Sequence, residues 1–300
     1  MPRIINSNYK SPKAFSLIEL SIVILIIGIL VAGVTQSSRL VKRIRLLTAQ
    51  NITNSSPVPT IKDLALWYES TLERSFNDAE EQDLAELTMW YDNNPQTTNK
   101  LNAFPPLVNN RPKYIENGIN GLPSVRLAGV DDYLRVDQVG ISGPQLTYFI
   151  VARRIAWVQD SSIINGTGPS GNDYTTVEGF TGFYEGGGGG MIPGRNSGLL
   201  CLAMLGSHPG NGNTFIANSI FNGSTNIAYI NGTGYTPANS TGNFNISQIH
   251  IGPRISAGNP FIYYNADIAE IIFYSRALNT EERKAVEQYL SRKWAVKLTS

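Results

Sequence analysis

Three sets of residues in this chain are of types and spacings that could do chemistry. The first is a lone carboxylate, Glu19, inside the apolar run FSLIELSIVILIIGILVAGV at residues 15–34. A charge in such a segment costs several kcal/mol and marks a function or a partner. The second is Asp267 and Glu270 in NADIAE, residues 265–270. Two carboxylates can hydrolyse a glycosidic bond with retention when they stand about 5–5.5 Å apart on one side of a sugar. In a regular strand, however, residues three apart point to opposite faces, and only a bulge would reunite them. The third is Asp131, Asp132, Asn172 and Asp173, candidate oxygen ligands for calcium. No EF-hand spacing joins them, and turn formation accounts for these residue types. His208 and His250 are the only histidines, with no Gly-x-Ser-x-Gly elbow beside either. No Walker or dinucleotide fingerprint occurs. The single cysteine, Cys201 in LLCLAML, reads as a buried small hydrophobe and excludes an internal disulfide.

The elements that must position these residues are legible in outline. Twenty residues of helix rise about 30 Å, the thickness of a bilayer hydrocarbon core. Residues 15–34 are apolar all round and read as a membrane segment. The fourteen residues before them are polar and hold three bases, Arg3, Lys10 and Lys13, with no acid. Their removal would leave 21 basic against 23 acidic side chains, a balance of −2. With charged residues at only 16% and net charge near zero, nothing favours nucleic acid as a partner. Arg39, Lys42, Arg43 and Arg45 follow at helical spacing, as an interfacial face or as charges for neighbouring subunits. The helical pattern fades near Gln50, and NITNSSPVPT at residues 51–60 reads as a linker.

From residue 61 the texture is of short β-like runs divided by Gly, Asn and Pro. LTYFIVA at 146–152 and DIAEIIFY at 267–274 are apolar on both faces and predict central strands. Asn222-Gly223 and Asn231-Gly232 predict tight type I′ hairpins. Gly186 to Gly190 reads as a mobile loop. Trp67, Tyr68, Trp90 and Tyr91 would stack on sugars if exposed, but aromatics near predicted strands belong to the core. A closing helix is capped by Asn279 with Glu282 and carries an apolar stripe of Val286, Tyr289, Leu290 and Trp294.

Two resemblances follow. KAFSLIEL, Lys13 to Leu20, resembles the processing site of type IV prepilins. It implies that a prepilin peptidase cuts between Ala14 and Phe15 and methylates the new amine; Ala14 stands where that family usually has glycine. It also implies that Glu19, fifth residue of the mature chain, pairs with a neighbouring subunit's amino terminus. ALWYES (from Ala65), GLPSVRLAGVDDYLRV (from Gly121), YINGTGY (from Tyr229) and IGPRI…DIAEIIFYSRALNTEERKAVEQYLSRKW (from Ile251) resemble bacterial laminin-G/concanavalin A-like domains. That resemblance implies a two-sheet antiparallel jelly roll, in some relatives with calcium near a binding edge. In relatives that are glycoside hydrolases the signature is Glu-x-Asp-x-x-Glu; here Asn265 replaces the nucleophile.

The expectation is therefore a mainly β protein: leader 1–14, assembly helix 15–50, linker 51–60, and a sandwich domain 61–300 with a short C-terminal helix. Its function is that of a pilin-like, non-catalytic filament subunit, displaying a lectin-like domain for adhesion or surface binding. The bulk of that domain would crowd a filament shaft, which points to a minor subunit. The alternatives are a pseudopilin of a type II-like secretion apparatus and a membrane-tethered glycan-active enzyme. Its place is the bacterial inner membrane with the sandwich outside the cytoplasm, then a pilus or pseudopilus. Its partners are prepilin peptidase, other pilin subunits and a glycan or surface ligand.

Overall fold

The computed structural model describes residues 16–173, 178–186, 191–194, 209–235, 238–239 and 242–299. The chain divides into two units, Met1–Ile44 and Arg45–Ser300. Helix α1 (Leu17–Asn54) runs through the first and supplies the opening residues of the second.

In the first unit, sequence and hydrogen bonding agree on where the helix begins. Ser16 caps it: Ser16 Oγ accepts from the Ile18 N–H at 3.3 Å, and Glu19 Oε2 accepts from the Ser16 N–H at 3.0 Å. Past the cap, the large apolar side chains have no protein cover: Leu17 is 85% exposed and Leu30 is 62% exposed. Among the described residues no helix is long and apolar enough to cross a membrane. The membrane span expected over residues 15–34 therefore rests on the sequence.

The second unit is built of strands. They are β1 (Leu64–Glu69), β2 (Lys113–Ile119), β3 (Leu122–Ala128), β4 (Leu134–Val136), β5 (Ile141–Gly143) and β6 (Gln145–Ala156). After these come β7 (Ser162–Thr167), β8 (Phe180–Glu185), β9 (Met191–Gly194), β10 (Thr214–Asn222), β11 (Thr225–Ile230) and β12 (Thr233–Gly234). The last are β13 (Ala238–Asn239), β14 (Phe244–Ile246), β15 (Gln248–Ile251), β16 (Pro253–Ser256), β17 (Asn259–Tyr263) and β18 (Asn265–Tyr274), followed by helix α2 (Thr280–Trp294). The larger antiparallel sheet runs β12-β11-β10-β6-β18-β3-β2, with β13 beside β11 and β1 beside β18. The smaller runs β4-β15-β7-β8-β9, and β5–β14 and β16–β17 form short ribbons.

The two strands expected to be central are central, for a reason visible in their neighbours. β6 and β18 pair along their length. One face of each, through Tyr148, Ile150, Ile268, Ile271 and Phe273, enters the core between the sheets. The other, through Phe149, Val151, Ala269 and Ile272, packs under α2 with Val286, Tyr289, Leu290 and Trp294. Both faces are dry, so alternation is lost. The capping box is present, with Glu282 N–H to Asn279 Oδ1 at 2.9 Å and Asn279 N–H to Glu282 Oε2 at 3.0 Å.

The two Asn-Gly cues diverge. Asn231 and Gly232 both take positive φ, 50° and 83°, as a type I′ turn requires. Asn222 instead ends β10, and the loop is Gly223-Ser224 with only Gly223 at positive φ, 100°, the type II′ arrangement. Asn222 Oδ1 accepts from the Ser224 and Thr225 N–H groups, so its side chain stabilises the turn from outside.

Helix α1 also continues four residues beyond its expected end at Gln50, and residues 51–60 are folded rather than a free linker. Ala49 and Thr53 are 2% and 1% exposed, and Val58 is wholly buried. Gln50 Nε2 donates to the Thr71 carbonyl at 2.9 Å, and the Tyr274 hydroxyl donates to the Val58 carbonyl at 3.0 Å. Composition alone read this stretch as polar; burial of one residue per turn is what fixes it. A soluble fragment of residues 45–300 is therefore expected to fold, and one of residues 61–300 to be less stable by about 2–4 kcal/mol, the loss of two or three small apolar side chains from cover. Urea midpoints of the two fragments measure the difference.

Candidate functional site

The resemblance-bearing motifs converge on a buried ionic cluster. Glu69 of β1 and Glu270 of β18 sit directly opposite one another in register, a like-charge pair that destabilises a sheet unless neutralised. Lys293 of α2 neutralises it: Nζ lies 2.5 Å from Glu69 Oε2 and 3.1 Å from Glu270 Oε2, and all three side chains are fully buried. Glu270 also accepts from Trp67 Nε1, the Tyr289 hydroxyl and Trp294 Nε1 at 2.7–2.8 Å. Glu69 accepts from the Thr71 and Ser75 hydroxyls and from the Leu72 N–H. Burial pushes the Glu69 carboxyl up, but Lys293 and these donors outweigh it and hold the group below its ordinary 4.5. Each carboxylate is spent on structure.

The bulge that could unite Asp267 with Glu270 exists. β18 slips register against β6 between Ile268 and Glu270, with Ala269 as the extra residue. Ala266, Ile268 and Ile271 face the inter-sheet core, so Asp267 and Glu270 both face away from it, not to opposite sides as a regular strand dictates. The two acids nevertheless have separate obligations. Asp267 is wholly buried, bonded to Arg126 Nε and Nη2 at 2.7 and 2.9 Å and to Arg153 Nη2 at 2.5 Å. Neither carboxylate has the solvent access that a glycoside substrate needs.

The calcium candidates are dispersed among other tasks. Asp132 Oδ2 accepts the Ala128 N–H at 3.0 Å, and burial raises its carboxyl. The Asp131 carbonyl accepts from Asn110 Nδ2 at 2.8 Å. Asp173 is locked to Arg254 through both oxygens, at 2.8 and 3.1 Å. Among the described residues no group of three or more His, Cys, Asp or Glu side chains is arranged to hold a metal ion. His250 is 3% exposed, with Nε2 3.2 Å from Thr167 Oγ1; burial, with Arg135 adding to it, lowers its pKa to about 4, so it stays neutral. Trp67, Tyr68 and Trp90 are core residues. Ala14, Phe15, Cys201, His208 and Gly187 to Gly190 lie outside the described residues.

One concavity with binding chemistry joins two of the calcium candidates, Asn172 and Asp173, to residues that sequence reading passed over. A cavity of about 370 Å³ is lined by Asp160, Asn172, Asp173, Tyr184, Arg254 and Phe261, with Ile255, Ser256 and Ile262. The β16–β17 ribbon forms one wall, turned by Ala257 and Gly258 at positive φ. Arg254 is 5% exposed and its guanidinium lies 5.1 Å from the Tyr184 ring centroid and 5.5 Å from that of Phe261. The Tyr184 hydroxyl donates to Asp160 Oδ1, and Phe261 is 49% exposed. The available signal was PRISAGNPF, an arginine and an aromatic flanking a glycine turn.

Replacing Lys293 with methionine is expected to cost about 3–5 kcal/mol, since two buried carboxylates would then face each other unpaired. Glu69→Gln should in addition flatten the acid limb of the stability profile. With its folded pKa depressed, Glu69 contributes stability above 4.5 that is lost as pH falls through the folded value. Urea midpoints from pH 7 down to the acid transition, for both variants, check these outcomes.

Comparisons with known proteins bear on both units. The family described as "Prokaryotic N-terminal methylation motif" matches residues 9–35. No curated protein matches the chain. Among solved structures, the chain is similar to Trypanosoma rangeli sialidase, with 15% identity and a TM-score of 0.52 over 78% of this chain and 33% of that one. The chain thus spans about a third of that sialidase's length. It is also similar to domain 4 of AbnA, a GH43 extracellular arabinanase from Geobacillus stearothermophilus in complex with arabinotriose, with 13% identity and a TM-score of 0.51 over 75% of this chain and 97% of that one. A third is the binding domain of Paraclostridial Mosquitocidal Protein 1, with 12% identity and a TM-score of 0.51 over 77% and 52%. At such identities the likeness is one of fold, and none of the three is named as a laminin-G protein. The chain carries a prokaryotic methylation motif ahead of a β-sandwich shared with these proteins.

Proposed function

We propose that the protein is a type IV pilin-like filament subunit whose sandwich is a non-catalytic binding module, displayed outside the cytoplasm. The observation that carries the reading is the methylation motif at residues 9–35, continuous with a helix whose apolar side chains are uncovered in the single chain. Bundling with like helices would cover them, first in the inner membrane and then in a pilus or pseudopilus. In the single chain Glu19 caps its own helix. A methylated amine at Phe15 of a neighbour would offer that carboxylate a cation in place of a neutral N–H, and a charge-assisted bond is the stronger one.

Two features support a binding rather than a hydrolytic role. Asp267 is committed to Arg126 and Arg153 and Glu270 to the buried Lys293, and Asn265 takes the place of a nucleophile. The arabinanase domain similar to this chain over nearly its whole length was solved with arabinotriose bound, so a sandwich of this shape can present a sugar-binding surface.

The mature protein is expected to begin at Phe15 with a methylated amine, read by mass spectrometry of the N-terminal peptide from membranes of cells with an active prepilin peptidase. Glu19→Val should enter the membrane at least as well as the parent, because a buried charge is gone, and should be absent from sheared filaments. An intact leader, or normal incorporation of the variant, would remove the support for the subunit reading.

A further inference from the structure

The cavity beside the β16–β17 ribbon has the makings of a ligand site, and its charges say which class of ligand. Concave sites of a few hundred Å³ bind small ligands when an apolar surface is combined with a few fixed polar groups. Here Phe261, half exposed, and Ile262 supply the apolar wall, while Asp160, Asn172, Ser256 and Arg254 supply polar atoms. The polar groups are held in place. Arg254 is pinned by Asp173 and faced by two rings. Asn172 Oδ1 accepts from the Ala257 N–H at 2.8 Å and its Nδ2 donates to the Ser170 carbonyl at 3.1 Å. Asp173 accepts further from the Ile255 N–H at 2.7 Å. Preorganisation of this kind lowers the ordering cost of binding.

Charge then separates the options. Among the described residues lining the cavity, two carboxylates face one guanidinium. The Asp173–Arg254 pair is internally compensated, which leaves Asp160 as the uncompensated charge, with one oxygen already taking the Tyr184 hydroxyl. An anionic ligand would meet a like charge, at a cost that disfavours it. A polyhydroxylated neutral ligand would instead donate to Asp160 and lay its C–H face on Phe261.

We infer that this cavity is a binding site for a neutral saccharide, and that it discriminates against acidic sugars. The inference rests on the sandwich being a binding module but is independent of filament assembly, which runs through Glu19.

The test uses the full-length protein in detergent, titrated calorimetrically with lactose, cellotriose and xylotriose, and in parallel with 3′-sialyllactose and trigalacturonate. The expected result is saturable binding of at least one neutral probe, with the acidic probes weaker or silent. Phe261→Ala should weaken binding about tenfold through loss of the aromatic face, without a shift in thermal midpoint, since the ring is half exposed. Asp160→Asn should weaken neutral binding and narrow the gap to the acidic probes. Leu107→Ala, at an exposed residue outside the cavity lining, should change nothing. Neutral binding untouched by Phe261→Ala and Asp160→Asn would move the site elsewhere and overturn the assignment. A preference for the acidic probes, or silence from every neutral probe, would overturn it as well. None of these failures touches incorporation of the parent into filaments, so the two readings fall separately.

Discussion

Everything in the sandwich that faces α2 depends on one ammonium group. The register of β1 against β18 places Glu69 opposite Glu270, an arrangement that no sheet tolerates in a dry interior without a counter-charge. Lys293 supplies it, and because that lysine sits in the last turn of α2, the helix cannot leave without stranding both acids. The aromatic residues around it, Trp67, Tyr289 and Trp294, spend their polar hydrogens on Glu270. The cluster thus fixes the register of β1, the seat of α2 and the orientation of three large side chains at once. A purely apolar contact of the same area would favour burial without favouring one register over another.

β18 is the strand through which these constraints are shared. Its first half pairs with β3 and its second half with β1 on the same side, while β6 runs along the other. The bulge at Ala269 lies where that change of partner occurs, and it turns Asp267 and Glu270 to the same face. Asp267 ties β18 to Arg126 of β3 and Arg153 of β6; Glu270 ties it to Lys293 of α2. The residues whose types most suggested hydrolysis are therefore those that weld the large sheet together. The cavity around Arg254 lies instead against the β16–β17 ribbon, where a turn and an exposed aromatic leave room for a ligand.

Much of this was legible in the sequence where a single physical rule acted locally. The runs at 146–152 and 267–274 were apolar on both faces because both faces are covered, and Asn279 with Glu282 wrote the start of α2 directly. What was not legible depended on contacts between distant residues. Nothing in a strand's own sequence announces a bulge, so Ala269 was hidden. No local pattern marks Arg283, Glu287 and Lys293 of α2 as interior, yet all are buried and paired, Arg283 with Glu287 at 2.5 Å and Lys293 with Glu69. The polar composition of residues 51–60 concealed Val58 in the core, and the Gly223-Ser224 turn shows that an Asn-Gly pair can slip by one position when the asparagine bonds outward. The Arg254 cavity gathers residues 160, 172, 184 and 261, which no local pattern could have joined.

The Lys293–Glu69 bond closes a loop of 224 residues. Folding of such a topology is slow, because distant segments must meet before either is rewarded. As the chain is made, β1 emerges early and has to wait, its glutamate unmatched, until the final turn of α2 is available. The two halves of that contact stand at opposite ends of the domain's sequence.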